Sequence, residues 1–176
     1  MLTAIDVANF FISISNPHED GISNMKVNKL VYLAQGWSMA KLGRELFPEK
    51  IQAWQHGPVI PEVYYAFKPC GSNPIQEICG EYSEDKFSLE EIDLLTDIAL
   101  TYGKYTAAYL RNLTHSHKTW LNHYHENERN LIPNEEIKEF FKTLKPIGIN
   151  MDNGDTIGYI DDAGYTVLPK EWNDEP

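Results

Sequence analysis

Apolar residues recur at helical spacing along most of the first 145 positions, and the breaks between them carry start and stop signals. Thr3 followed by Asp6 has the form of a capping box, with Asp in place of Glu, and opens an apolar stretch that runs to Ile14. Asn16-Pro17 ends it, because the residue before a proline is pushed out of the α region. Ser23 caps a second helix, on which Val27, Leu30, Val31, Ala34, Trp37 and Ser38 share one stripe and Gly43 is the stop. Between 46 and 61 the helical period fails. There Ile51 to Trp54 reads as a short extended segment, Gly57-Pro58 as a sharp turn, and Pro61 as the first residue of a helix carrying Val63, Tyr64 and Phe67. A loop follows, punctuated by Pro69, Gly71, Asn73, Pro74 and Gly80. Ser88-Leu89-Glu90-Glu91 is a full capping box ahead of Ile92, Leu95 and Ala99, with Gly103 closing that helix. Thr106 starts a helix through Leu113, a break follows around Thr114 to Lys118, and Trp120 to Glu128 reads as another short helix. Asn134 caps the last one, with Ile137, Phe140, Phe141 and Leu144 as its apolar face and Pro146 as its end.

After Pro146 the pattern changes. Residues 146–176 hold seven acids against one lysine, and two β-prone runs, Thr156 to Ile160 and Tyr165 to Leu168, flank Asp161-Asp162-Ala163-Gly164 as in a hairpin. No internal repeat or low-complexity tract interrupts the chain. The expected fold is therefore mainly α (α+β): a compact bundle of about six helices with a few short strands, spanning 1–145, plus an acidic C-terminal extension, 146–176.

Composition narrows the function. The chain has 176 residues, with 15 Lys and Arg against 26 Asp and Glu, for a net charge of −11. Phosphate binding needs clustered cations, so this balance argues against a nucleic-acid partner, and it equally disfavours an anionic membrane surface. Only the stretch from Ser23 to Lys50 is locally positive, with five basic residues against two acidic, and Lys26, Lys29 and Lys41 there read as a solvated edge or a contact for an acidic protein partner. No apolar run is long enough to span a bilayer, and the N-terminus lacks a basic n-region. Cys70 and Cys79 are too few for a disulfide framework and suit a reducing compartment, so the expected location is cytoplasmic.

The chain carries no catalytic signature. His115, His117, His123 and His125 lie within eleven residues and are the one arrangement that invites a metal. Residues two apart on a helix point about 200° away from one another, so these pairs do not chelate on regular helix and read instead as an exposed polar face. There is no Gly-x-Ser-x-Gly, P-loop or Gly-x-Gly-x-x-Gly, and neither cysteine adjoins a basic helix start. Glu90, Glu91 and Asp93 occupy a first helical turn, where acids favour the dipole. No catalytic residue, metal ligand or cofactor is assigned.

One set of blocks is more specific. Lys29-Leu30-Val31-Tyr32-Leu33-Ala34 is followed by Trp37, then Leu46-Phe47, Ala53-Trp54 and His56-Gly57-Pro58-Val59-Ile60-Pro61, with Tyr64 and Phe67 after them. Leu110, Leu113-Thr114-His115, Trp120, Ile132-Pro133 and the Glu136-Ile137 and Phe140 pattern continue the series. In this order and separation the blocks resemble the Panacea domain, also called the SocA-like antitoxin domain, whose members include phage-associated and mobile-element proteins. The resemblance covers about four-fifths of the chain and leaves the segment after 145 without a counterpart.

What the resemblance implies is a mostly helical, non-enzymatic protein that neutralises a protein toxin by direct binding, with no cofactor. Candidate partner-binding residues within its motifs are Lys29, Tyr32, His56, Tyr64, Thr114 and His115, while Leu30, Trp54, Gly57, Pro58, Trp120 and Phe140 are expected to be structural. The acidic charge points to a basic or nucleic-acid-directed toxin, since complementary charge speeds encounter. Two other readings use the same residues differently: an adaptor that delivers its bound partner to a protease, and a hydrolase with a metal held by the four histidines.

Overall fold

The computed structural model describes residues 1–17 and 21–147, together with the backbone of 159–160 and 166–167. Its helices are α1 (Ala4–Ser13), α2 (Asn24–Lys41), α3 (Pro61–Phe67), α4 (Leu89–Tyr102), α5 (Ala107–His115), α6 (Lys118–Leu121) and α7 (Asn134–Thr143). Strands β1 (Ile51–Trp54), β2 (Gly57–Val59) and β3 (Asn130–Ile132) form one antiparallel sheet in the order β2-β1-β3. The fold is thus mainly helical α+β, and the sheet keeps it out of the all-α class. In the C-terminal segment β4 (Tyr159–Ile160) and β5 (Thr166–Val167) pair antiparallel, at the place where the sequence pattern has a hairpin. The rest of the expected hairpin, 156–158, 161–165 and 168, lies outside the described residues.

The capping boxes at Thr3 and Ser88 are both present, each with side chain and backbone exchanging hydrogen bonds. Ser23 accepts from the Lys26 amide at the start of α2, and Gly43 follows the end of that helix at φ +73°. Gly57-Pro58, read as a turn, instead opens the second strand of a hairpin. Trp54 pairs with Gly57, so the turn residues are Gln55 and His56.

Helix α2 is the axis of the molecule. It packs against α1, α3, α4, α5, α7 and β2, and nearly every residue from Asn24 to Met39 is buried. The single apolar stripe expected from the sequence is therefore wrapped on its other sides as well. A helix covered all round must satisfy its polar side chains internally, and here they hold the loops that cover it. Gln35 donates to the Phe47 carbonyl and accepts from the Leu46 amide, both at 2.9 Å, and Ser38 donates to the Arg44 carbonyl. Lys26 is buried and donates to the Gly103 carbonyl at 2.6 Å. The solvated basic edge read from Lys26, Lys29 and Lys41 thus does not exist: two of these ammonium groups are inside, and Lys41 is paired with Asp97.

The long segment between α3 and α4 is pinned rather than loose. Asn9 donates to the Cys79 carbonyl and accepts from its amide at 2.8 and 2.9 Å, and the Ile75 amide donates to Ile22. Cys70 and Cys79 are free and half-buried.

Three expectations change in the second half. The helix over Trp120 to Glu128 is only the four-residue α6, because the chain turns afterwards through Asn127 at φ 64° and then forms β3 against β1. Asn134 does not cap α7. Pro133 occupies that position without a side-chain bond, and both polar side-chain atoms of Asn134 are buried without a partner. The histidine face is not an exposed one either: His117 is buried, with its Nδ1 3.0 Å from the Tyr32 hydroxyl, while the same hydroxyl meets Thr119 Oγ1 at 2.9 Å. Tyr32→Phe is expected to lower stability by about 1–3 kcal/mol, since it strands two buried partners; urea midpoints measure it.

Helix α7 ends at Thr143, yet Ile147 is still in the core and its carbonyl accepts from Lys41 at 3.0 Å. No helix among the described residues is long and apolar enough to cross a membrane.

Candidate functional site

The β1-β2 hairpin lies on the N-terminal half of α2, and three polar side chains of that helix hold it there. Asn28 accepts from the Ile60 amide at 3.1 Å and donates to Asn24, which in turn donates to the Tyr64 carbonyl at 3.0 Å. Lys29 donates to the Pro58 carbonyl at 2.8 Å. Gly57 stands directly over this contact at φ +99°, and a Cβ there would sit 2.9 Å from both Lys29 Nζ and Thr114 Oγ1. Only glycine combines that backbone angle with that approach.

Beside the hairpin is an open cleft of about 630 Å³, whose walls come from α2, the hairpin turn, α3 and the segment 124–129. Trp54, Tyr64 and Tyr124 are its aromatic walls, and a further ring lies beside them. Trp54 and Tyr64 meet edge to face at 4.9 Å, Tyr65 follows at 5.3 Å from Tyr64, and the Arg129 guanidinium lies 4.4 Å over the Trp54 ring. Arg129 also donates to the Tyr65 hydroxyl at 3.1 Å. Behind them His115, Trp120 and Tyr124 form a continuous stack with centroid separations of 4.1 and 4.6 Å. Trp120 donates to the Trp54 carbonyl at 2.8 Å and so ties stack to hairpin.

This arrangement separates the candidate residues. Lys29, His56 and Tyr64 line the cleft, as does Trp54. His115 is half-buried behind it on the Trp120 ring, and Thr114 is buried, its hydroxyl donating to the Leu110 carbonyl at 2.9 Å. Tyr32 lies in the core against His117 and Phe141. Leu30, Gly57, Pro58 and Trp120 are buried, and Phe140 is half-buried 4.7 Å from the His117 ring. Sequence reasoning missed Tyr124 and Arg129, which line the cleft, and Tyr65, which packs on Tyr64 beside it. Asn127 followed closely by Arg129 carried a usable signal, because Asn tolerates a positive φ and marks a turn.

Burial sets the charge states. Lys29 is held down to about 7 by burial, and by the Arg111 guanidinium after that. Burial lowers His115 to about 4, with Lys29, Arg111 and His56 adding to it, and burial alone lowers His117 to about 3. The linkage has a definite sign. Both histidines are neutral in the fold and take up a proton more readily when unfolded, near the ordinary value of about 6.5. The contribution of these two rings is therefore complete above that pH and is lost as pH falls toward the folded values, at up to about 1.4 kcal/mol per unit for the buried His117 and less for the half-buried His115, which solvent screens. Urea midpoints between about pH 7 and pH 4 are expected to fall steeply, and a flat profile would show that neither ring is held neutral.

Among the described residues no group of three or more His, Cys, Asp or Glu converges to hold a metal. Of the four histidines, His117 faces Tyr32, His115 stacks on Trp120, and His123 meets Glu136 at 2.9 Å. What the site offers chemically is a recognition surface: flat rings, one guanidinium and a buried amine.

A family model described as "Antitoxin SocA-like, Panacea domain" matches residues 27–121, which include the hairpin, Lys29, Tyr64, His115 and Trp120. Among curated proteins, Antitoxin SocA of Caulobacter vibrioides (strain NA1000 / CB15N) is 37% identical over 65 residues, 37% of this chain and 35% of that protein. The matched part thus spans about a third of the relative's length. No solved structure matches the chain.

Proposed function

Because the chain belongs to the SocA-like, Panacea-domain antitoxin family, we propose that it neutralises a protein toxin by binding it non-covalently through the aromatic face around the cleft. One observation carries the placement: Trp54, Tyr64, Tyr65 and Arg129 form a single contacting cluster, with Tyr65 50% exposed. Trp, Tyr and Arg are the side chains that dominate binding energy at protein interfaces, and the mutual contacts here fix them before a partner arrives. Leu131, 54% exposed on β3, extends the same side of the sheet as Gln52. Inhibition is steric: an interface of roughly 1,200–2,000 Å² centred on this cluster covers the toxin's functional surface. The protein acts in the cytoplasm as a binder rather than an enzyme, on behalf of a prophage or similar mobile element.

The net charge of −11 favours a basic toxin, including one that acts on nucleic acid, and the rate of encounter is expected to fall with added salt. The seven acids of the C-terminal segment against its one lysine add to this attraction. Ile147 is packed in the core, so the cut that removes these acids is after 147. Deleting 148–176 is expected to leave the thermal unfolding midpoint unchanged and to slow toxin association, as measured by stopped-flow or surface-binding rates.

Co-expression with the adjacent open reading frame tests the function. The expected result is a neighbour that arrests growth alone, is harmless beside this chain, and co-purifies with it at an undiminished half-life. A neighbour that disappears in a pulse-chase only when this chain is present identifies delivery to a protease instead. A harmless neighbour that does not co-purify overturns the reading.

A further inference from the structure

The amine of Lys29 is not used up by its structural bond. Only 1% of the residue's surface is exposed, its one hydrogen bond runs to the Pro58 carbonyl, and no carboxylate among the described residues pairs with it. An ammonium has three donors, so two N–H groups in a dry site lack acceptors, which is costly unless a ligand supplies them. Yet Lys29 lines the open cleft, alongside His56, Lys68 and Arg129. Nearby, His115 Nε2 is a buried polar atom without a partner.

We propose that the cleft receives an acidic side chain of the protein partner, whose carboxylate takes the two unmatched N–H groups of Lys29 while its methylene stem lies against Trp54 and Tyr64. This rests on the reading of the cleft as the partner-binding face. It adds what that face selects: one carboxylate, inside an acidic protein whose surface otherwise favours basic partners. A single buried cation matches a single negative charge. A doubly charged phosphate is disfavoured, because Glu126 and Glu128 also line the cleft. Glu128 is engaged with the Asn130 amide at 2.7 Å, which keeps it off Lys29.

The site has a pH signature. The titratable groups that interact with Lys29 are Arg111 and His115, both on α5 and neither of them acidic. Without a carboxylate, burial and then the Arg111 guanidinium hold the amine down to about 7. A carboxylate binds the protonated form, so apparent affinity is expected to drop about tenfold for each pH unit above about 7.

The test uses the full chain, labelled with ¹⁵N, and terminally blocked tripeptides Gly-Glu-Gly and Gly-Gln-Gly at millimolar concentration. The expected result is that only the Glu peptide shifts the amide signals of Lys29, His56 and Tyr64, that it does so at least tenfold more tightly than the Gln peptide, and that the response fades from about pH 6 to about pH 9. Equal responses to the two peptides, a response that is insensitive to pH, or none at all would overturn the proposal. Inorganic phosphate binding as tightly as the Glu peptide would also overturn it, in favour of a general anion site. Lys29→Met keeps the apolar stem and is expected to erase the Glu preference; if that variant does not fold, the peptide pair on the natural chain still decides. None of these outcomes bears on whether a neighbouring toxin is neutralised, so the two readings fail separately.

Discussion

Phe141→Ala is expected to cost about 3–5 kcal/mol, enough to leave a protein of ordinary stability barely folded. Phe141 is fully buried where α7 crosses α2, with the Tyr32 and Trp37 rings at 5.6 and 5.4 Å and its edge against Gly36. The contact with Gly36 is so close that a Cβ at that position would lie 2.3 Å from Phe141 Cε2. Gly36→Ala alone is therefore expected to destabilise by about 1–3 kcal/mol through overpacking, although alanine is the better helix former by about 1 kcal/mol. Once Phe141 is alanine the obstacle is gone, and the same Gly36→Ala change is expected to stabilise. Denaturant unfolding of both single variants and the double variant reads this reversal of sign directly. Additive effects would mean that the two helices are not locked at this crossing.

Gly57→Ala is expected to cost about 2–4 kcal/mol, from the strain of a positive φ on an L side chain and from collision with Lys29 and Thr114. Neither neighbour is free to move. Lys29 is held by Pro58 and Thr114 by the carbonyls of its own helix. Gly43 supplies the control: its φ is +73°, but nothing lies within 4 Å of an added Cβ. Gly43→Ala is expected to lose only the backbone strain, about 1–2 kcal/mol. Comparable losses at the two glycines would show that the hairpin floats over α2 instead of being seated on it. Thermal melts of the pair measure the difference.

How much of this was legible beforehand depends on whether the deciding contacts were local. The capping boxes at Thr3 and Ser88 and the Ser23 cap could be read because each is complete within four residues. Ile51 to Trp54 was recognisable as extended, and Pro61 as a helix start, for the same reason. Strand β3 was invisible: Leu131 is 54% exposed and only its pairing with β1 defines the element. The lysines of α2 misled because a cation in a helical pattern looks solvated unless the covering segments are known, and those are strand β2 at Pro58 and the helix end at Gly103. His117 misled likewise, since its partner Tyr32 is 85 residues away in sequence. The motif residues Lys29, His56 and Tyr64 did point to the cleft. Its completing member, Arg129, reaches Tyr65 across 64 positions, and no spacing rule finds such a pair.

The central claim is that the aromatic face around the cleft is where a toxin is held. It is tested most directly by growth rescue with a Tyr65→Ala, Arg129→Ala double variant, co-expressed with the toxic neighbour and compared with the natural chain. Both side chains are exposed, so the unfolding free energy is expected to stay within about 0.5 kcal/mol of the original. Removing two interface anchors of this kind is expected to weaken binding by at least about 30-fold, so that rescue and co-purification are both lost. A folded double variant that still rescues growth and still co-purifies would contradict the account and place the toxin on another surface.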